Sequence, residues 1–191
     1  MSIVTQALLF ATTHHQHQHR KGTKIPYMAH LLNVCKIVAE NNCSDELLAA
    51  ALLHDVVEDA DITIQEVETT FGHHIADIVR GATELDKLEN KDLDKKSSWL
   101  KRKEHTIHFL SQEATIEQLL VSGADKLDNL RSIVYDYSKI GDTIWTRFNA
   151  SKEQQAWYYS SIANIMVDKG KQNNVLAEFG NEMLELCKKV F

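Results

Sequence analysis

The sequence predicts an all-α protein, a single-domain helical bundle. Breakers are scarce, with one proline (Pro26) and seven glycines in 191 residues, and apolar residues recur at helical spacing along most of the chain. No stretch alternates apolar and polar residues between hairpin turns, as a half-buried strand would. The length suits one domain, residues 1–191, able to bury a core without disulfide or metal staples.

The elements follow in order. The mildly apolar start MSIVTQALLFATTHH runs into HHQHQHR at 14–20. We read the latter as a helix end with exposed imidazoles, because adjacent histidines point in different directions; a second metal site is the alternative. Tyr27, Leu31, Val34, Cys35 and Val38 mark one face of a helix that Pro26 can start. Ser44 can cap the next helix, with Asp45 and Glu46 in its first turn, where the dipole favours acids. Thr63 followed by Glu66 is a capping-box pattern for a short helix ending near Gly72. Ile75, Ile78, Val79 and Ala82 carry another. The charged segment 84–97 reads as a solvated loop or weak helix, with a lid over a site as the sharper alternative. Trp99–Leu110 and Ile116–Tyr135 are helical in pattern, the second with a stripe of Ile116, Leu120, Ala124, Leu127, Leu130 and Val134. Residues 152–167 and a C-terminal helix at 172–190 complete the series.

Composition narrows the function. Net charge is −6 with no long basic run, which argues against DNA or RNA as the main partner. A small anionic ligand needs only a local basic pocket. No apolar run approaches the ~18 residues of a membrane span, and the start lacks the basic leader and cleavage site of a signal peptide; a cytoplasmic protein is expected. The three cysteines include no CxxC pair, so neither a disulfide scaffold nor a cysteine zinc site is expected.

The chemistry concentrates at residues 47–59, LLAAALLHDVVED. On a continuous helix Asp55 and Asp59 would be i,i+4 neighbours and Asp55 and Glu58 i,i+3 neighbours. Three carboxylates would then crowd one corner of a buried segment, where a divalent cation would relieve their repulsion. A frayed, solvated helix end is the plainer alternative. His30, beside the apolar face of its helix, and Asp125, which interrupts an apolar helix after Gly123 and Ala124, are further ligand candidates. Each has an ordinary reading as well: a hydrogen-bonded core histidine, and a salt-bridge partner of Lys126 or Arg131. His30, His54, Asp55 and Asp125 together offer two imidazoles and two carboxylates. Such a set suits Mn²⁺, Fe²⁺, Zn²⁺ or Ni²⁺ and leaves room for water and substrate. Glu58 and Asp59 would remain to move protons as catalytic acids and bases.

The order His30, His54-Asp55, Asp125 resembles the HD-domain metal-dependent phosphohydrolases. Longer matches sharpen the likeness: RKGTKIPYMAH at 20–30, ALLHDVVED at 51–59, FGHHIADIVRGATEL at 71–85 and ADKLDNLR at 124–131. They resemble the hydrolase domain of the RelA/SpoT proteins and the small alarmone hydrolases, over about residues 5–165. The resemblance implies a metal-dependent enzyme that removes the 3′-pyrophosphate of guanosine tetra- or pentaphosphate, (p)ppGpp, usually with Mn²⁺. It implies His30, His54, Asp55 and Asp125 as metal ligands, Glu58 and Asp59 as the acidic pair beside the attacking water, and Arg20, Lys21 and Asn129 as nucleotide contacts. The chain also departs from the pattern. The Arg20-to-His30 spacing is one residue longer, the histidine-rich stretch is unusual, and Asp128 stands where the family often has His or Tyr. That acid could repel a polyphosphate or hold Lys126 or Arg131. Two alternatives stay open: another phosphorylated nucleotide as substrate, such as an adenine alarmone or a dinucleotide cofactor, and a catalytically idle nucleotide-binding module.

Overall fold

The computed structural model describes residues 1–41, 43–84 and 97–191. Among these, helices follow one another as α1 (Ile3–His15), α2 (Met28–Ala39), α3 (Asp45–Leu53), α4 (Val56–Asp59), α5 (Ile64–Phe71), α6 (His73–Ala82), α7 (Trp99–Gln112), α8 (Ile116–Ile140), a 3₁₀ segment (Gly141–Arg147), α9 (Lys152–Lys169) and α10 (Asn174–Val190). No strand occurs among the described residues; an isolated bridge joins His19 to Pro26. The charged loop expected at 84–97 falls, for residues 85–96, outside the described residues.

Local chemistry sets the ends of these helices. Ser44 accepts from the Leu47 amide, and Thr63 and Glu66 close the expected capping box. Two more boxes, Thr115 with Gln118 and Ser151 with Gln154, start α8 and α9; each satisfies amides that the first turn leaves orphaned. Gly72 and Gly141 end α5 and α8 at positive φ (90° and 56°), where a side chain would be strained. Pro26 sits in the turn before α2 rather than opening it; its neighbours Ile25 and Tyr27 make the bonds of the bridge, to Arg20 and Gln18.

One apolar core runs through the molecule. Helix α3 lies at its centre and is buried all round from Ala49 to Leu53, packed between α1, α2 and α6. Its three alanines allow that close approach. The 25-residue α8 packs on α2 and α6 along one side and on α10 along another. At Gly123 a Cβ would lie 3.1 Å from Phe179 and 3.3 Å from the Met166 sulfur, so a small residue is needed just before Asp125. The result sets the ends of α2, α3 and α4 against the middle of α8. No described helix is long and apolar enough to cross a membrane.

Candidate metal centre and its cavity

Three chain segments bring four side chains together. His30 comes from the first turn of α2, His54 and Asp55 from the break between α3 and α4, and Asp125 from the middle of α8. Ligand atoms of His30, His54 and Asp55 lie within 4.8 Å of one another. Asp125 Oδ1 stands 3.2 Å from His30 Nε2 and 3.8 Å from His54 Nε2. Asp55 Oδ2 stands 3.1 Å from His54 Nε2 and 3.6 Å from His30 Nε2. All four side chains are buried.

The other ring nitrogens explain why both Nε2 atoms point inward. His54 Nδ1 lies 2.8 Å from the carbonyl oxygen of Ala51, so it donates there. His30 Nδ1 donates to Asp128 Oδ2 at 2.7 Å. In both rings Nε2 is then the unprotonated nitrogen of the neutral form. Each Nε2 is buried with no hydrogen-bond partner among the described residues. Two orphaned lone pairs facing two carboxylates suit a cation.

The charge balance agrees. Burial alone would lower the pKa of His30, but the acids at 125, 128 and 55 raise it to about 9. His54 likewise moves well above its ordinary value against its burial, drawn up by Asp55 and Asp125. Burial would raise Asp55 and Asp125, yet the imidazoles, and for Asp125 first the Lys126 ammonium, hold both well below the usual carboxylate range. The acids demand positive charge at this spot, which protons or a metal ion can supply.

The break at His54-Asp55 corrects one expectation. Asp55 has φ −101° and ψ −2°, between two helices rather than inside one. Beyond the break the chain is helical again, and the Asp59 amide donates to the Asp55 carbonyl at 2.9 Å, so Asp55 still stands one turn before Asp59. Asp55 turns inward, where it accepts from the Tyr27 hydroxyl at 2.6 Å. Glu58 is half-buried near the Lys126 ammonium, and Asp59 is exposed. Lys126 pairs with Asp125 Oδ2, so Asp125 serves both readings the sequence left open: one oxygen holds a lysine and the other faces the imidazoles.

Beside the metal residues opens a cavity of about 770 Å³ whose lining includes His30, Asp59 and Tyr159. In its wall five bases, Arg20, Lys21, Lys36, Arg131 and Arg147, outnumber three acids, Asp59, Asp128 and Asp136. Arg20 donates to Asn129 Oδ1 at 2.6 Å, and Asn129 in turn donates to Asp125. Thus Arg20 and Asn129 are brought to Asp125, while Lys21 is exposed on the rim. Arg147 pairs with Asp136 at 2.6 Å and lies against Gly22, whose φ of +72° and missing Cβ both matter: a Cβ would sit 2.7 Å from Arg147 Cδ. The basic loop is thereby pinned from the far wall.

Two further expectations are corrected. Asp128 does not hold Lys126 or Arg131; it accepts from His30 and, at 3.0 Å, from Asn33, while Arg131 forms a two-pronged pair with Glu182. In the histidine-rich stretch His14, His17 and His19 are exposed, but His15 is buried and stacks on Tyr27. Tyr27, Asn33 and His15 escaped notice because each fits an ordinary helical pattern. An acid three residues after Asp125, on the same helix face, was the available signal for Asp128.

Comparison with known proteins follows the same lines. A family model for the HD domain matches residues 7–156. The chain belongs to the HD-domain family. An HD domain implies a divalent metal, and the grouped His30, His54 and Asp55 could hold one. This HD domain is 38% identical over 128 residues to the bifunctional (p)ppGpp synthase/hydrolase SpoT of Escherichia coli (strain K12), covering 67% of the chain but only 18% of that relative. It is 36% identical over 135 residues to the guanosine-3′,5′-bis(diphosphate) 3′-pyrophosphohydrolase MESH1 of Danio rerio, covering 69% of each. Its fold matches a solved structure described as a metazoan ortholog of SpoT that hydrolyzes ppGpp, with TM-score 0.71 and 27% identity over 98% of this chain and 95% of that one.

Proposed function

We propose that this HD domain is a metal-dependent phosphohydrolase that removes the 3′-pyrophosphate of (p)ppGpp. One observation carries the reading: the orphaned Nε2 atoms of His30 and His54 converge with Asp55 and Asp125 beside a basic-walled cavity of nucleotide size. The names of the relatives support the choice of substrate.

In this reading His30, His54, Asp55 and Asp125 hold one divalent ion, with Mn²⁺ favoured over Zn²⁺, Fe²⁺ or Ni²⁺. Such an ion lowers the pKa of water and polarises a phosphoryl oxygen. The chain supplies the rest. Tyr27 and Asp128 fix the orientations of Asp55 and His30. Arg20 and Lys21 bind phosphate as a fork and a point charge, and Asn129 keeps Arg20 next to the metal residues. Asp59, on the cavity wall, takes the proton of the attacking water. Glu58, close to Lys126, returns a proton to the 3′ oxygen as its bond to phosphorus breaks. Water adds across that bond, giving guanosine 5′-di- or triphosphate with a free 3′-hydroxyl, and pyrophosphate. We place the protein in the cytoplasm, acting on a small nucleotide and not on DNA, RNA or membrane.

The test is to incubate Mn²⁺-loaded protein with a panel of 3′- and 5′-phosphorylated nucleotides and weigh the products. Release of pyrophosphate from (p)ppGpp is expected. Cleavage confined to an adenine alarmone or a phosphorylated dinucleotide would keep the chemistry and change the substrate; no turnover of any would leave an idle binding module.

A further inference from the structure

A line of three side chains runs from the histidine-rich stretch to the acid on α4. Gln18 Nε2 donates to Asp59 Oδ2 at 3.1 Å, and Gln18 Oε1 meets His15 Nδ1 at 2.5 Å. Asp59 sets the direction of both bonds. A carboxylate only accepts, so the amide NH₂ of Gln18 faces it. The amide oxygen then faces His15, and Nδ1 must carry the proton.

His15 is buried, and its Nε2 has no partner among the described residues. A phenylalanine would fill such a place without stranding a ring nitrogen. What the imidazole adds is the donor to Gln18. Its face also stacks on Tyr27, with centroids 5.3 Å apart and planes 22° from parallel, and Tyr27 holds Asp55. One buried ring braces the Asp59 carboxylate through its edge and the Asp55 carboxylate through its face.

We propose that His15 and Gln18 are positioning residues that hold Asp59 in its working orientation on the cavity wall. Asp59 sits at the end of a four-residue helix and is exposed. The Gln18 bond narrows the rotamers open to its carboxylate, as alignment with a substrate water requires. The inference rests on the acid–base reading of Asp59.

The test is a double-mutant cycle. Gln18→Leu removes both bonds at nearly constant volume. It should lower kcat about tenfold, with KM and Mn²⁺ affinity by calorimetry nearly unchanged and some loss of melting temperature from the stranded His15 donor. In an Asp59→Asn background the same change should have no further effect, as for residues that act through one another. Unchanged kcat in Gln18→Leu, or equal losses in both backgrounds, overturns the positioning role alone. Full turnover by Asp59→Asn overturns the acid–base role of Asp59, and the positioning role with it. Imidazole ¹⁵N spectra give a readout without turnover, recorded at about pH 8, above the ordinary histidine range. His15 should show the Nδ1–H tautomer, and Asp59→Asn, which lets the Gln18 amide turn over, should give a mixture. An Nε2–H tautomer in the unaltered protein, or no response to Asp59→Asn, defeats the proposal.

Discussion

His30 and Asp128 form a buried pair in which the ring Nδ1–H donates to one carboxylate oxygen at 2.7 Å while Asn33 donates to the other. The pair aims Nε2 at Asp55 and Asp125 and makes it more basic. Replacing Asp128 by Asn should weaken Mn²⁺ binding about 10- to 100-fold, as titration calorimetry would read. Unchanged affinity would mean that packing alone orients the ring. The negative charge of Asp128 is spent on two donors, so a polyphosphate in the cavity meets less repulsion than the bare sequence suggests.

Asp55→Asn should abolish metal binding and turnover together, because Asp55 stands between both imidazoles and carries a charge the site requires. Chelation should lower the melting temperature of the unaltered protein, and Mn²⁺ should restore it. Binding to the folded state alone adds about 2.7 kcal/mol at a hundredfold excess over Kd. A melting curve indifferent to chelator would argue against a resident ion.

Glu58→Gln should leave Mn²⁺ affinity intact and slow single-turnover cleavage by ~10²-fold or more. Asp59→Asn should do likewise. The two acids face different surroundings, one near Lys126 and the other on the cavity wall, so their pH–rate profiles should lose opposite limbs. A variant that keeps full speed strikes its acid from the reaction.

Arg20→Ala should raise KM roughly tenfold, the size of one lost charged hydrogen bond, and leave metal affinity within a few-fold. Gly22→Val should raise KM as well, since a side chain there meets both a left-handed backbone and the Arg147 stem. An unchanged KM in both would remove the loop from the nucleotide site.

Stability should fall in acid partly through Glu84. Burial would raise its pKa, but Lys103 and Arg102, both paired with it, bring it from 4.5 to about 2. A carboxyl depressed in the folded state contributes stability above its unfolded pKa and loses it as pH falls toward the folded one. Urea unfolding from pH 4.5 down to about 2 should therefore show a steeper loss in the unaltered protein than in Glu84→Gln, which starts less stable. Parallel curves would exclude this pair.

Much of this was legible in the residues. Spacing and caps placed the helices, since Ser44, Thr63 and the stripe on α8 are local signals. The grouping of His30, His54, Asp55 and Asp125 was legible because a histidine or acid on an apolar face violates the pattern around it. The break at Asp55 was not, since nothing between Leu53 and Val56 interrupts helical propensity; tertiary packing overrides it there. Nor were the supports. Tyr27 reads as a core aromatic, Gln18 as a surface amide and His15 as one histidine among several until folding sets them side by side.

Helix α8 carries Asp125, Asp128 and Asn129 within about one turn. One residue inserted upstream of Asp125 would rotate that face by about 100° and displace the proposed ligand Asp125, the brace of His30 and the proposed nucleotide contact Asn129 in a single event. The connection between α1 and α2 faces that side of the helix and reaches Asn129 through Arg20 and Asp55 through Tyr27. The extra residue between Arg20 and His30 lies in that connection.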